Sequence, residues 1–163
     1  MRCFVVMGVA GCGKSTVGIA LAERTGATYI EGDELHPPGN IAKMSAGTPL
    51  TDDDRAPWLD RIGAALTNSE GRCIVGCSAL RRAYRDCIRA AAKEPVTFLH
   101  LAGTHDVIEA RMHLRSGHFM PVSLLDSQFA TLEPLQRDEA GTTVDIDRPL
   151  PAIVDALASA IAG

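Results

Sequence analysis

Apolar residues run almost unbroken from Cys3 to Met7, the pattern of a strand covered on both faces. The period then changes. From Lys14 to Thr25, Val17, Ala20 and Leu21 fall on one side of a helix, and Gly26 is placed to end it. A short strand is expected at Thr28 to Ile30, then a short helix from about Asn40 to Ala46 with Ile41 and Met44 three apart. Thr51 or Asp52 can cap a longer helix carrying Leu59, Ile62 and Leu66, with Pro57 near its start and Gly71 beyond its end. Cys73 to Cys77 reads as a buried strand, Arg81 to Ala92 as a helix, and Val96 to Leu101 as another strand. Thr104 caps a helix expected to reach Arg115, and Gly117 breaks it. A helix from about Ser123 to Leu132, a strand from Thr143 to Ile146 and a helix from Leu150 to Ala162 complete the chain. Five strands alternating with helices predict a three-layer α/β/α sandwich with a five-stranded, mostly parallel sheet. Ligands in such sheets gather beyond the C-terminal ends of the strands.

The 163 residues suit a single domain over 1–163. Sixteen basic against twenty acidic residues leave a net charge of −4, which gives no broad attraction to nucleic acid. No apolar run approaches the ~20 residues of a membrane span, and Met1 to Val9 reads as the first strand rather than a signal peptide. Five cysteines at irregular spacing point to reduced thiols and a cytoplasmic protein.

Gly8-Val9-Ala10-Gly11-Cys12-Gly13-Lys14-Ser15 fits the pattern G-x-x-x-x-G-K-S, between an expected strand and an expected helix. Gly8, Gly11 and Gly13 let backbone N–H groups turn toward phosphate oxygens, and the new helix adds its own. Lys14 can reach the β and γ phosphates of ATP, Ser15 can enter the shell of Mg²⁺, and Thr16 can meet the α phosphate. Glu31-Gly32-Asp33 closes the second strand beside this loop. Asp33 can accept the proton of an attacking hydroxyl and Glu31 can hold Mg²⁺ through water; a plain acidic turn is the simpler alternative.

Other positions admit two readings each. His36 donates to an acceptor or caps local structure. Lys43 touches substrate or lies on an exposed helix face. Arg55 clamps an anion or pairs at the surface. Arg81, at a helix start near the sheet edge, is the stronger anion candidate, whereas a solvated face explains Arg82 and Arg89. Tyr84 reads as structural, and Trp58 as packing. Arg111 and Arg115 share a helix face before Ser116-Gly117-His118, so a lid over 115–124 could bring positive charge onto a phosphate. The turn Asp147-Arg148-Pro149 borders a nucleotide base or is simply exposed.

Together these residues resemble the small gluconate kinases, or gluconokinases, of the P-loop kinase class. The resemblance spans Gly8 to Thr16, Gly32 to Leu59, Cys77 to Asp86, Arg111 to Met120 and Leu124 to Leu135. The second block is the most specific, joining GD-x-LH to DDDR-x-PW. The resemblance implies a fold similar to shikimate and nucleoside-monophosphate kinases. It implies transfer of the ATP γ-phosphate to the 6-hydroxyl of D-gluconate, and a homodimer. It places Asp33 near the acceptor hydroxyl, with His36, Arg55 and Arg81 around the polyol acid. Arg111 is implied near the nucleotide and Arg115 in the lid. Ala10 and Cys12 stand where the family often has serine, Glu31 where it has aspartate, and Arg81 where it has lysine. Rival readings are a kinase for another small hydroxy acid such as shikimate, or a non-catalytic ATP-binding regulatory module.

Overall fold

The computed structural model describes residues 1–114 and 122–162, with the Val122 side chain left aside. Five strands, β1 (Cys3–Met7), β2 (Thr28–Glu31), β3 (Cys73–Gly76), β4 (Val96–Ala102) and β5 (Gly141–Asp145), form one sheet in the order β2-β3-β1-β4-β5. All four pairings are parallel. The helices are α1 (Lys14–Thr25), α2 (Pro38–Ser45), α3 (Asp52–Asn68), α4 (Arg82–Ala92), α5 (His105–Leu114), α6 (Val122–Thr131) and α7 (Leu150–Ala162). Each element expected from periodicity is present.

The layers follow from the two-residue period of β1, whose five residues are all buried. Phe4 and Val6 face one way and pack with Val17 and Leu21 of α1 and Ile153 and Leu157 of α7. Cys3, Val5 and Met7 face the other way and pack with Leu59, Ile62 and Leu66 of α3 and Ile88 of α4. Truncating one such fully buried residue, for example Ile62→Ala, removes about 2–5 kcal/mol. Helices α3 and α4 meet closely because Gly63 has no side chain. A Cβ there would stand 2.5 Å from that of Ala91.

Boundaries shift where side chains or close approaches intervene. A 3₁₀ turn, Gly32–Leu35, follows β2 directly. Strand β5 starts not at Thr143 but at Gly141, where a Cβ would stand 2.5 Å from the Phe98 carbonyl oxygen. Helix α3 starts at Asp52 because Thr51 forms a reciprocal cap: its hydroxyl accepts from the Asp54 N–H at 3.1 Å, and Asp54 accepts from the Thr51 N–H at 2.9 Å. Pro57 stays inside this helix. Arg81 is the cap of α4 rather than its first residue. Arg115 and most of the expected lid, 115–121, lie outside the described residues. Among those described, no helix is long and apolar enough to cross a membrane.

The chain enters the sheet at its centre, crosses to the edge at β2, returns to β3 and only then passes to β4 on the other side of β1. The crevice beyond β1 is therefore a switch point, where neighbouring connections leave in opposite directions. The phosphate loop emerges there.

Candidate active site

The loop after β1 turns back on itself at glycines. Gly8 has φ 149° and Gly11 φ 81°, in the region that disfavours a side chain. A Cβ on Gly8 would lie 2.7 Å from Cys12 Sγ, and one on Gly11 2.6 Å from Met112 Cγ. Gly13, with φ 96°, caps α1 without a side-chain bond, leaving the first N–H groups of the helix for a ligand. The Lys14 ammonium curls over its own loop, donating to the Gly8 and Val9 carbonyls at 3.0 and 3.2 Å. Thr16 is exposed one residue beyond Ser15.

Ser15 and Glu31, sixteen residues apart, meet. The Ser15 hydroxyl donates to Glu31 Oε2 at 2.6 Å, and the Tyr29 hydroxyl donates to the same oxygen at 3.1 Å. Exposed hydroxyl and carboxylate oxygens side by side form a hard donor set of the kind Mg²⁺ takes. Asp33 stands on the following 3₁₀ turn, which Trp58 pins by donating from Nε1 to the Gly32 carbonyl at 2.8 Å. Burial pushes the Cys77 thiol, at the end of β3, up to about 12; Lys14 acts against this, while Asp33 and Glu31 add to it.

His36 is buried and stacks on Trp58, the rings 4.1 Å apart and 15° from parallel. Asn40 Nδ2 reaches both the Asp54 carbonyl, at 2.9 Å, and His36 Nδ1, at 3.2 Å. Because a carbonyl can only accept, the asparagine must donate, and His36 Nδ1 must accept. The proton of the neutral ring is thereby assigned to Nε2. Burial lowers the His36 pKa; Asp33 opposes this and Arg55 reinforces it.

A cavity of about 670 Å³ opens between the segment after α2, the start of α3, the end of β3 and α6. Its size suits a small ligand. Arg55, Trp58 and Tyr84 form part of its wall, with Ser127 and Gln128 opposite. Asp33, His36 and Arg81 are not wall residues. His36 stands behind Trp58, and Arg81 lies over the ring of Tyr84, its guanidinium carbon 6.0 Å from the centroid. Arg111 turns the other way and donates to the carbonyls of Ile146 and of Arg148, the latter at 3.3 Å. It braces the turn after β5.

Some expectations change. Lys43 does not point at the cavity as an unengaged cation: it grips both carboxylate oxygens of Asp54 at 2.9 and 2.7 Å. This bond, with the Thr51 N–H, holds Asp54 down at about 2. Arg82 and Arg89 are not a solvated face; they join Asp86, Asp138 and Glu139 in an ion network. Two contributors were not foreseen. Tyr84 lies between Arg55 and Arg81. Gln128 Oε1 accepts from the Ala10 N–H at 2.6 Å, tying α6 to the phosphate loop across 118 residues. For Tyr84 the only sequence signal is its place three residues after Arg81, the cap of α4, and Gln128 has none.

No protein-family model matches the chain. It is 43% identical over 162 residues to the thermosensitive gluconokinase of Escherichia coli (strain K12), covering 97% of this chain and 86% of that protein. It is 48% identical over 142 residues to the gluconokinase of Gluconobacter oxydans (strain 621H), covering 85% and 79%. Its fold matches the crystal structure of a gluconokinase from Sinorhizobium meliloti 1021 with a TM-score of 0.89 and 50% identity, over 99% of this chain and 91% of that one.

Proposed function

The chain belongs to the gluconokinase family, and from that premise we infer its reaction: ATP-dependent phosphorylation of D-gluconate at the 6-hydroxyl, giving 6-phospho-D-gluconate and ADP. The observation that carries this reading is the cavity itself. It is large enough for a six-carbon acid, has Arg55 on its wall, and is bordered by Gln128, whose side chain touches the phosphate loop.

The roles follow from position. Backbone N–H groups of Gly11, Gly13, Lys14 and Ser15, with the start of α1 and Thr16, hold the nucleotide phosphates. Lys14 leaves its carbonyl partners for the β and γ phosphates and offsets charge that spreads over the transferring group. Ser15 and Glu31 would hold Mg²⁺, which would supply positive charge against the negative charge of the phosphates. Asp33 accepts the proton of the 6-hydroxyl as the bond from that oxygen to phosphorus forms and the bond to the leaving ADP oxygen breaks. Arg55 and Arg81 receive the acceptor carboxylate, and His36 orders that wall through Trp58. Arg111 fixes the turn of Asp147 and Arg148 beside the nucleotide. Arg115, outside the described residues, is assigned to the transferring phosphate by the family resemblance alone. Positioning and electrostatics supply most of the rate, since phosphoryl transfer needs little covalent help.

The test is ADP release with Mg²⁺·ATP and D-gluconate, beside shikimate and a nucleoside monophosphate. Turnover with D-gluconate alone, with 6-phosphogluconate identified as product, is the expected result. Turnover only with another acceptor would keep the kinase chemistry and reject the substrate. Silence of a folded, ATP-binding protein across the panel would favour a binding module.

A further inference from the structure

Two residues of the acceptor cavity's wall, Arg55 and Tyr84, and one outside it, Arg81, come together around an uncharged ring. Arg55 comes from the first turn of α3 and Arg81 caps α4, yet both guanidinium groups lie over Tyr84, at 5.4 and 6.0 Å from its centroid. The Tyr84 hydroxyl donates to Asp52 Oδ1 at 2.8 Å, which fixes the ring against α3. Arg55 donates to the Leu50 carbonyl at 3.0 Å and reaches Asp52 only at 3.5 Å. The Arg81 side chain has no hydrogen bond or ion pair among the described residues. Burial and the bond to Asp52 raise the Tyr84 pKa against the pull of the two arginines, so the phenol stays protonated and the ring neutral.

An aromatic face attracts a guanidinium through its quadrupole without cancelling its charge. A carboxylate at this point would neutralise one arginine, and an aliphatic chain would hold neither. Two long cations, otherwise free to spread into water, are kept beside the cavity, Arg81 with its N–H donors uncommitted and Arg55 with only its Nη1 engaged. We propose that Tyr84 is a positioning residue that sets Arg55 and Arg81 as a paired receptor for the carboxylate of the acceptor, and so makes the cavity select a hydroxy acid over an uncharged polyol of the same length. The proposal rests on the gluconokinase reading. It adds the means by which the charged end of the substrate is recognised.

The experiment compares the wild-type protein with Tyr84→Phe and Tyr84→Leu, using D-gluconate as substrate and D-glucitol, an uncharged six-carbon polyol, as competitive inhibitor. Tyr84→Leu should raise the gluconate KM about tenfold or more, with kcat and the ATP KM within about threefold of wild type. Its inhibition constant for D-glucitol should not change, because that ligand brings no carboxylate. Tyr84→Phe keeps the ring but gives up its bond to Asp52, and should raise the gluconate KM less than Tyr84→Leu does. A wild-type gluconate KM in folded Tyr84→Leu would overturn the proposal. So would equal losses for gluconate and D-glucitol, or a Phe variant as impaired as the Leu variant. If Tyr84→Leu does not fold, Tyr84→Met keeps the volume without a π face and carries the same comparison. A wild-type protein idle on D-gluconate would overturn the reaction itself, whereas active wild type with an indifferent position 84 would overturn only the role of the ring.

Discussion

Arginines on the two sides of the start of α4 meet opposite fates. On one side Arg85 is wholly buried and donates to both oxygens of Glu139, at 2.7 and 3.0 Å. Arg89 adds a third bond to Glu139 at 2.7 Å, and Arg82 grips Asp138 at 2.8 and 2.9 Å. On the other side Arg55 and Arg81 meet an aromatic face, one backbone carbonyl and, at 3.5 Å, a single exposed carboxylate. The residue type is the same, and Arg81 and Arg82 are even adjacent. The difference is the acid within reach. A buried arginine must be fully paired, because an uncompensated charge in the interior is costly. An arginine meant for a substrate must keep donors to spare.

Function and stability should therefore separate along this line. The largest effect is expected for Asp33→Ala, an exposed position: kcat should fall by about 10²–10⁴-fold, with the thermal melt unmoved. Wild-type turnover in the folded variant would remove Asp33 from the mechanism. Next comes Glu139→Ala, which leaves Arg85 buried without its partner and should cost about 3–5 kcal/mol in denaturant unfolding. Replacing Arg85 and Glu139 together by apolar residues of similar volume should recover most of that loss, which sharpens the distinction between pairing and mere charge. Kinetics normalised to folded protein should be unaffected in both.

Arg55→Ala should do the reverse. We expect a gluconate KM raised about 10–100-fold, with a melting temperature close to wild type; an unchanged KM would remove Arg55 from the acceptor site. The smallest effect is a titration. Burial pushes Glu139 up, but Arg85, the Gln136 N–H and Arg89 outweigh it, bringing the carboxylate from its ordinary 4.5 to about 2. A pKa depressed in the folded state contributes stability that is present above the unfolded value and lost as pH falls. Melting temperature should thus decline from about pH 4.5 toward pH 2, and Glu139→Gln should flatten part of that slope. An identical slope in the two proteins would deny Glu139 this role.

Much of the site was legible before any coordinates because its parts are contiguous or periodic. Gly8 to Ser15 sit in one run, and the strand and helix around them can be read from local period. Arg55 and Arg81 stood out as basic residues at helix starts. Gln128 did not, since its partner Ala10 is 118 residues away and a glutamine on an amphipathic helix carries no signal of its own. Glu139 was equally silent: an acid in a loop looks solvated until the chain folds it over α4. Lys43 remained open for the same reason, and only the packing of α2 against the start of α3 shows that Asp54 holds it.

From sequence alone came the order of strands and helices, the phosphate loop and the family resemblance, all of which rest on short-range spacing. The tertiary structure alone decided the strand order, with β1 at the centre, and so the crevice beside the phosphate loop where Ser15 meets Glu31. It also decided which arginines are consumed by carboxylates and which are held open on Tyr84. Spacing along a chain dictates which face a residue takes within its own element. Whether a charge is matched depends on groups that reach it across space, and those are brought in by the packing of the two apolar faces of the sheet.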